Sequence, residues 1–465
     1  MAAKRVKRVK VLKERKKYDH LSELPDCIIH HILSFLPAIE VVQMSILSKR
    51  WRRMWYYVPA LNFCQISVYG SDRFPKFVDE YLKYREIGLR SVADSSIITR
   101  FKLRIMCGVD FSTLVDKWLN FVVLKNKLEE LDLYVKPWPR LVPKLYHCLP
   151  GAVLGAKSLT HLKLEYMRMV GPLQVSLPVL KLLSLKHVSG LNDHSFEHLL
   201  ANCPSLEELV LRDCRDLSTP QISSSTLKSS ELQLVSNQRI KIDAIKLQFL
   251  LFGSAQNCRI SLATCASLKS LSLCNAEFLG RCLEDHISEL TGLESLTICE
   301  SIGSKHIKNI RSRHLKNLII SQTGVKEVGA IKIDAVNLVS FTYRADSMKT
   351  FCNISLNSPN LRVCNVKLTC QCRTYDSNWY ISLIRLLSNL NCCKNVCLHV
   401  YSEEALVIPN DLRSVCRASL LAIEHLKVKT YRLLFQKSDL KDSLYWLSPS
   451  LKSLSMEQQS KGFRL

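Results

Sequence analysis

The sequence has few of the residues that break regular structure and no long apolar run. Glycine and proline number only 14 and 15 among 465 residues, and no low-complexity tract interrupts the chain. A composition that is 47% hydrophobic and 23% charged is typical of a folded globular protein. No window approaches the roughly 18 uninterrupted apolar residues of a membrane-spanning helix. Because the length exceeds one ordinary core, we expect either several domains or a repeat architecture.

Signature sequences of common enzyme classes are missing as well. The chain contains no G-x-x-x-x-G-K-[ST], no G-x-G-x-x-G, no H-E-x-x-H and no G-x-S-x-G. We therefore predict no catalytic residues and no cofactor. The pair His30-His31 lies in an apolar segment, where one ring is expected to face solvent and the other to be partly buried.

Acidic residues are fewer than basic residues. The chain has 41 Asp and Glu against 65 Lys and Arg, a formal net charge of +24. Residues 1–17 hold nine basic residues and one acid. Such a run is typical of nuclear import signals, and equally of a solvated, disordered tail, which we assign to residues 1–18. The candidate import signal is Lys4, Arg5, Lys7, Arg8 and Lys10.

The start of the chain does not predict secretion. The positive residues are followed by VLKERKKYDH, in place of the apolar core of a secretory signal. We therefore expect a soluble, intracellular protein in the nucleus and/or the cytoplasm.

Nineteen cysteines are many, but their positions suit reduced thiols of an intracellular protein. Five fall at similar points of a recurring leucine pattern, where a small buried hydrophobe fits. These are Cys203, Cys214, Cys274, Cys299 and Cys364. A denser group could in principle bind zinc, but it lacks paired C-x-x-C spacing, so we predict no metal site. It comprises Cys370, Cys372, Cys392, Cys393, Cys397 and His399.

Residues 19–62 are predicted to form three short helices. Pro25 suits a first helical position, and Ile28, Ile29, Ile32, Leu33 and Leu36 follow at helical spacing. Pro37 ends this helix, Ser48 is a candidate cap for a segment that contains Trp51 and Trp55, and Pro59 closes the module. About 44 residues cannot bury all these apolar groups among themselves. The exposed stripe therefore packs either on the rest of the chain or on a partner protein.

The stretch LSELPDCIIHHILSFLPAIEVVQMSILSKRWRRMWYYVPALNF resembles the F-box of plant F-box proteins. It shows the Leu-Pro opening, the I-x-x-I-L-x-x-L-P helix and the S-x-L-S-K-R-W-R-x-x-W close, in order and spacing. The resemblance implies docking on a Skp-type adaptor, which links F-box proteins to a cullin-RING ubiquitin ligase. Ser48, Lys49, Arg50 and Trp51 complete the motif, with Trp51 and Trp55 expected in the core. The implied adaptor-facing residues are Leu24, Pro25, Ile28, Ile29, Ile32, Leu33, Leu36 and Pro37.

From residue 128 onward the phrase L-x-x-L-x-L recurs. It begins at 128, 159, 180, 206, 268, 293, 315 and 451, with looser copies at 229, 338, 361, 393 and 423. The last two leucines are two residues apart, so on a strand they point to one face and bury together. Repeats at such a period are typical of a leucine-rich-repeat solenoid with a parallel, concave β-sheet. The fold class is therefore α/β: a small all-helical F-box followed by this solenoid.

Side chains between the leucines would meet a partner. The first strands expose Glu130, Asp132 and Glu165 beside a few cations, and later strands are increasingly basic. A cleft of one charge sign concentrates ligands of the other. An acidic peptide, a phosphorylated segment or a polyanionic small molecule would fit, and a solvated face without a ligand remains an alternative. The candidate target-binding residues are Lys163, Lys186, Arg212, Arg344, Lys367, Lys427 and Lys429.

Residues 63–127 are predicted to cap the solenoid, because an end repeat would otherwise expose its core. FVDEYLKYREIG and FSTLVDKWLNFVV have helical periodicity, and ITRFKLRIMCG alternates like a strand. Plant F-box/leucine-rich-repeat proteins resemble this arrangement. The repeats then occupy residues 128–465, with less regular spacing from about 370 to 460.

These expectations lead to one main function and two alternatives. The resemblance implies a non-catalytic substrate receptor of an SCF-type ubiquitin ligase, which holds a target while other subunits catalyse the transfer. The charge would also suit a basic nuclear protein associated with nucleic acid, although the repeats offer no aromatic ladder between basic residues. A scaffold whose F-box packs only on the solenoid is the third possibility.

Overall fold

The computed structural model of the chain divides into two compact units, Met1–Arg104 and Ile105–Leu465. The candidate import signal, Cys372 and Cys392 lie outside the residues that the structure describes. The predicted domain boundaries after residues 18, 62 and 127 stay predictions. The described residues are 23–65, 73–90, 98–107, 112–125, 127–137, 146–171, 174–235, 238–262, 264–278, 283–300, 309–322, 330–347, 354–370, 374–390, 393–416, 420, 422–432 and 437–458.

Three short helices begin the first unit: α1 (Asp26–Leu33), α2 (Ala38–Met44) and α3 (Lys49–Met54). Pro25 and Pro37 stand immediately before α1 and α2, where a missing N–H leaves no helical hydrogen bond unmade. The predicted cap of α3 is confirmed, since the Ser48 hydroxyl accepts a hydrogen bond from the Trp51 N–H at 3.2 Å.

The remainder of the first unit supplies the helices with an aromatic core. A 3-10 turn (Trp55–Tyr57) leads to β1 (Ala60–Cys64), α4 (Arg73–Arg90) and β2 (Arg100–Cys107), and β1 pairs in parallel with the first residues of β2. Trp51, Trp55 and Phe63 are buried. Gly88 of α4 lets the Tyr56 ring approach, because an added Cβ would lie 2.7 Å from that ring. The predicted helix and strand before residue 104 are thus present.

Eight helices and turns and twenty-one strands are described in the second unit. They are α5 (Ser112–Lys125), β3 (Glu130–Pro137), β4 (His147–Cys148), α6 (Gly151–Leu154), β5 (His161–Glu165), β6 (Met167–Arg168), β7 (Leu182–Lys186), α7 (Asp193–Ala201), β8 (Glu208–Arg212), β9 (Gln221–Ser223), β10 (Ser229–Leu234), β11 (Arg239–Asp243), β12 (Phe249–Ser261), β13 (Ser270–Phe278), α8 (Leu283–Glu289), β14 (Ser295–Glu300), β15 (Asn309–Arg311), β16 (Asn317–Gln322), β17 (Ile331–Asp334), β18 (Ser340–Ala345), β19 (Ile354–Asn357), β20 (Val363–Leu368), α9 (Ser377–Ser388), β21 (Asn395–Ser402), the 3-10 turn Glu403–Leu406, α10 (Asn410–Val415), β22 (His425–Arg432), α11 (Lys437–Leu447) and β23 (Ser453–Gln458).

Fourteen strands of the largest described sheet follow one another in parallel, and we call these fourteen the repeat sheet. Neighbours follow the order β3, β5, β7, β8, β10, β12, β13, β14, β16, β18, β20, β21, β22, β23. Each predicted phrase contributes one strand, which confirms the predicted α/β fold with its parallel sheet. We number each phrase L-x-x-L-x-L-x from 1 to 7; positions 4 and 6 point into the core, and positions 3, 5 and 7 form the open face.

Within the repeat sheet, sequence reasoning misses one strand and misplaces another. β12 comes from Leu247-x-x-Leu250-x-Phe252, a phrase in which phenylalanine replaces the last leucine. The phrase assigned to residue 229 begins at Leu227, since Ser229 pairs with Glu208 of β8. Ser230 therefore occupies a buried leucine position, where its hydroxyl donates to the Leu209 carbonyl at 3.3 Å. That bond satisfies the buried hydroxyl.

Four described residues of the repeats have a left-handed backbone although they are not glycine. Tyr166, His187, Asp213 and Asn275 all have φ between 51° and 59°, and each stands directly after position 7 of its phrase. Away from the repeat sheet, β15, β17 and β19 form a second parallel sheet. No described helix is long and apolar enough to cross a membrane.

Candidate functional site

Arg50 joins the two halves of the F-box motif. Its guanidinium donates to the Leu24 carbonyl at 2.5 Å, and its Nε donates to the Asp26 carboxylate at 3.0 Å. Leu24 belongs to the opening of the motif and Arg50 to its close, 26 residues later. The contact therefore holds the start of α1 against α3.

The structure divides the predicted adaptor residues into buried and reachable groups. Ile29 and Leu33 are 0% and 1% exposed, so their side chains pack in the core of the unit. Ile28 is 43% exposed on the other side of α1. Pro25 is also exposed, whereas Leu24, Ile32, Leu36 and Pro37 are half-buried.

Three further apolar side chains of the F-box are more exposed than Ile28. Phe35 follows α1 and is 66% exposed, and Ile46 and Leu47 follow α2 with 80% and 58% exposed. All three lie in turns that follow the helices. With Ile28 they form what we call the apolar F-box surface. Burying such side chains against a partner removes apolar area from water, which is favourable.

On the open face of the repeat sheet, the first candidate cations have acidic neighbours. Lys163 lies in register with Asp132, and Lys186 lies in register with Glu165. Arg212 forms an ion pair with Glu231 of the next strand. The positive charge of this part of the face is therefore locally compensated.

The other candidate cations lie together at the far end of the described sheet. Arg344 of β18 pairs in register with Lys367 of β20, and Lys427 and Lys429 lie on β22. Five strands separate β8 from β18, so the candidate target-binding residues form two groups and not one. The strand between β20 and β22 is β21, and its residue His399 is in register with both Lys367 and Lys429.

Two of the five cysteines predicted to be buried lie instead on the open face. Cys203, Cys214 and Cys364 are buried as predicted, but Cys274 and Cys299 are half-exposed. Both occupy position 7, and they pair in register across β13 and β14. A hydrogen bond from the Cys274 thiol is the main reason that the pKa of Cys299 falls to about 7, with a further contribution from Arg344. The prediction was wrong here because a cysteine one residue beyond the last leucine points away from the core.

The structure also brings together Ser112, Asp116 and His147. The Ser112 hydroxyl lies 3.1 Å from His147 Nδ1, and an Asp116 carboxylate oxygen lies 3.1 Å from His147 Nε2. The imidazole is buried, and burial lowers its pKa while Asp116 raises it. Through these two contacts, the His147 ring links β4 to α5. Among the described residues, no group of three or more His, Cys, Asp or Glu could hold a metal ion.

Comparison with known proteins assigns both parts of the chain. The F-box domain model matches residues 21–60, and the model of the LRR repeats of FBD-associated F-box protein At5g56370 matches residues 115–266. In both matched parts the chain is similar to plant F-box/LRR proteins. This confirms the resemblance read from the sequence.

The individual relatives that follow come from Arabidopsis thaliana. "F-box/LRR-repeat protein 13" is 29% identical over 50% of this chain and 51% of the relative. "F-box/FBD/LRR-repeat protein At1g78750" is 29% identical over 56% and 58%, respectively. "FBD-associated F-box protein At4g13985" is 28% identical over 76% and 74%. The chain thus spans about half the length of the first of these relatives and about three quarters of the last.

Proposed function

We propose that this F-box/LRR protein is the substrate receptor of an SCF-type ubiquitin ligase. The F-box docks on a Skp-type adaptor, and through it on a cullin-RING ligase, while the open face of the repeat sheet holds a target protein. The observation that carries this proposal is the apolar F-box surface. Four large apolar side chains stand exposed on a module that matches the F-box domain model, although Trp51, Ile29 and Leu33 are fully enclosed.

In this role the chain contributes proximity and no catalytic group. Binding the target beside the ligase raises the effective concentration of a target lysine at the transfer site. The bond-forming steps belong to other subunits, and no cofactor is required of this chain. Nuclear and/or cytoplasmic localisation is part of the proposal, supported by the composition of the basic tail.

The apolar F-box surface can be tested without disturbing the core. We expect the double substitution Phe35→Ser/Ile46→Ser to weaken binding of the full chain to a plant Skp-type adaptor by at least about tenfold, since both side chains would be buried on docking. Calorimetric titration measures the affinity, and thermal unfolding of the free variant should match that of the wild type.

A matched control removes two equally exposed side chains from the second unit. Ile245 and Val415 are 60% and 83% exposed, so Ile245→Ser/Val415→Ser should leave adaptor affinity unchanged. Wild-type protein that is folded and shows no adaptor binding would contradict the proposal. It would then favour the scaffold alternative, in which these side chains serve another contact.

A further inference from the structure

A row of nitrogen-bearing side chains crosses four consecutive strands of the repeat sheet. Arg344, Lys367, His399 and Lys429 all occupy position 7 of their phrases, and each is in register with the next. We call these four residues the cationic row. Neighbouring strands are about 4.8 Å apart, so the row places three full positive charges within roughly 15 Å.

Too few acids accompany this row to neutralise it. Glu457 of β23 lies 2.5 Å from Lys427 Nζ and 3.9 Å from Lys429 Nζ, at one end of the row. Within the described residues, neither Arg344 nor Lys367 has an ion pair with a carboxylate. The first group of cations on this face, at Lys163, Lys186 and Arg212, differs in having acidic neighbours.

Burial and the neighbouring cations shift the pKa values of the row. Burial lowers the pKa of Lys367, and the charges of Arg344 and Lys429 lower it further. Burial lowers the pKa of His399 to about 4, together with the charges of the surrounding cations, of which Lys367 has the largest effect. The imidazole is therefore neutral near pH 7. Like charges held this close are unfavourable in the free protein. An anion placed over the row would remove that repulsion.

The surroundings suit a small oxyanion. Thr342 and Asn365 lie beside the row at position 5, and the Asn365 amide donates to the Thr342 hydroxyl at 3.4 Å. Neutral His399 carries one ring N–H, and its Nε2 lies 3.3 Å from Cys397 Sγ. Positions 5 and 7 of β18, β20, β21 and β22 hold no Phe, Tyr or Trp. Tyr401 and Tyr431 follow His399 and Lys429 by two residues on the same strand face.

We propose that the cationic row binds the phosphate monoester of a phosphorylated segment in a target protein. A phosphate monoester carries a charge of about −1.5 to −2 and three acceptor oxygens, which matches several cations and nearby donors better than a single carboxylate does. The peptide as the source of the phosphate rests on the proposed function, in which the open face holds a target. The anion site itself depends only on the row.

The test uses the full chain without adaptor, so that it fails or succeeds independently of ligase docking. The probes are acetyl-Gly-Gly-phosphoserine-Gly-Gly-amide, the same peptide without phosphate, and inorganic phosphate, titrated by calorimetry at low ionic strength. We expect the phosphopeptide to bind more tightly than inorganic phosphate and the unphosphorylated peptide not to bind. Added salt should weaken binding, because charges on an exposed face are screened.

Substitutions then locate the binding. Lys367→Met should weaken phosphopeptide affinity by at least tenfold, whereas Lys367→Arg should retain it and Lys163→Met, on the same face, should leave it unchanged. The free Lys367→Met protein should unfold at a temperature no lower than the wild type, since the substitution relieves repulsion.

Three results would overturn the proposal. Absence of phosphopeptide binding would remove the site, and equal losses from Lys163→Met and Lys367→Met would place the binding elsewhere. Equal affinity for inorganic phosphate and the phosphopeptide would overturn the assignment to a protein segment.

Discussion

Replacing Trp51 with alanine is expected to lower the free energy of unfolding of the F-box by about 3–5 kcal/mol. Trp51 is 2% exposed and is among the largest fully buried side chains. Its removal leaves a cavity between three helices of six to eight residues each. A module of this size has little stability in reserve, because small domains bury a smaller fraction of their surface.

Trypsin offers a local measurement of this effect. Lys49, Arg50, Arg52 and Arg53 lie in α3, so cleavage there requires the helix to open. When opening is fast, cleavage follows the population of the open state, and a loss of about 3 kcal/mol raises the rate by roughly a hundredfold. Leu47→Ala is the matched control, since Leu47 is exposed and its removal should change stability by less than about 0.5 kcal/mol. Similar cleavage rates for the wild type and Trp51→Ala would contradict the proposed packing.

In the repeat sheet, Phe341→Ala is expected to cost about 3–5 kcal/mol of unfolding free energy. Phe341 is completely buried at position 4 of β18, in register with Leu318 of β16 and Cys364 of β20. Each repeat contacts mainly its neighbours, so the loss should appear first in β16, β18 and β20. Urea unfolding followed by circular dichroism gives the total change, and hydrogen exchange gives its location.

Val339→Ala is the control for this substitution. Val339 precedes Phe341 by two residues, stands directly before β18 and is 36% exposed. Its truncation should shift the urea midpoint only slightly. A uniform loss of protection from β3 to β23 after Phe341→Ala would show that the repeats unfold as one unit, against the nearest-neighbour account.

The repetition of leucine made the main architecture predictable from sequence. The two-residue spacing between positions 4 and 6 specifies both a strand and its buried face. The copies that begin at 128 and 206 follow this rule, since β3 and β8 are connected in register through β5 and β7. The rule fails where another residue performs the same packing. Phe252 completes the core of β12, and Ser230 is tolerated in β10 because its hydroxyl finds a carbonyl.

Side-chain environment was harder to predict than secondary structure. Helical spacing correctly gave an apolar α1, but it did not separate buried Ile29 from exposed Ile28, because both belong to the same broad stripe. Phe35 and Ile46 lie in turns, where periodicity carries no information about exposure. On the repeat sheet, His399 joins the cationic row through the pairing of β21 with its neighbours, a relation that residue spacing alone did not reveal.

Hydrogen exchange of the full chain with and without a plant Skp-type adaptor is the most direct test of the central claim. The account predicts slower exchange in peptides that cover α1, α2 and α3 and the turns containing Phe35 and Ile46. Exchange in β14 to β23 should be unchanged. Unchanged exchange in the F-box helices in the presence of saturating adaptor, or protection confined to the repeat sheet, would contradict the account.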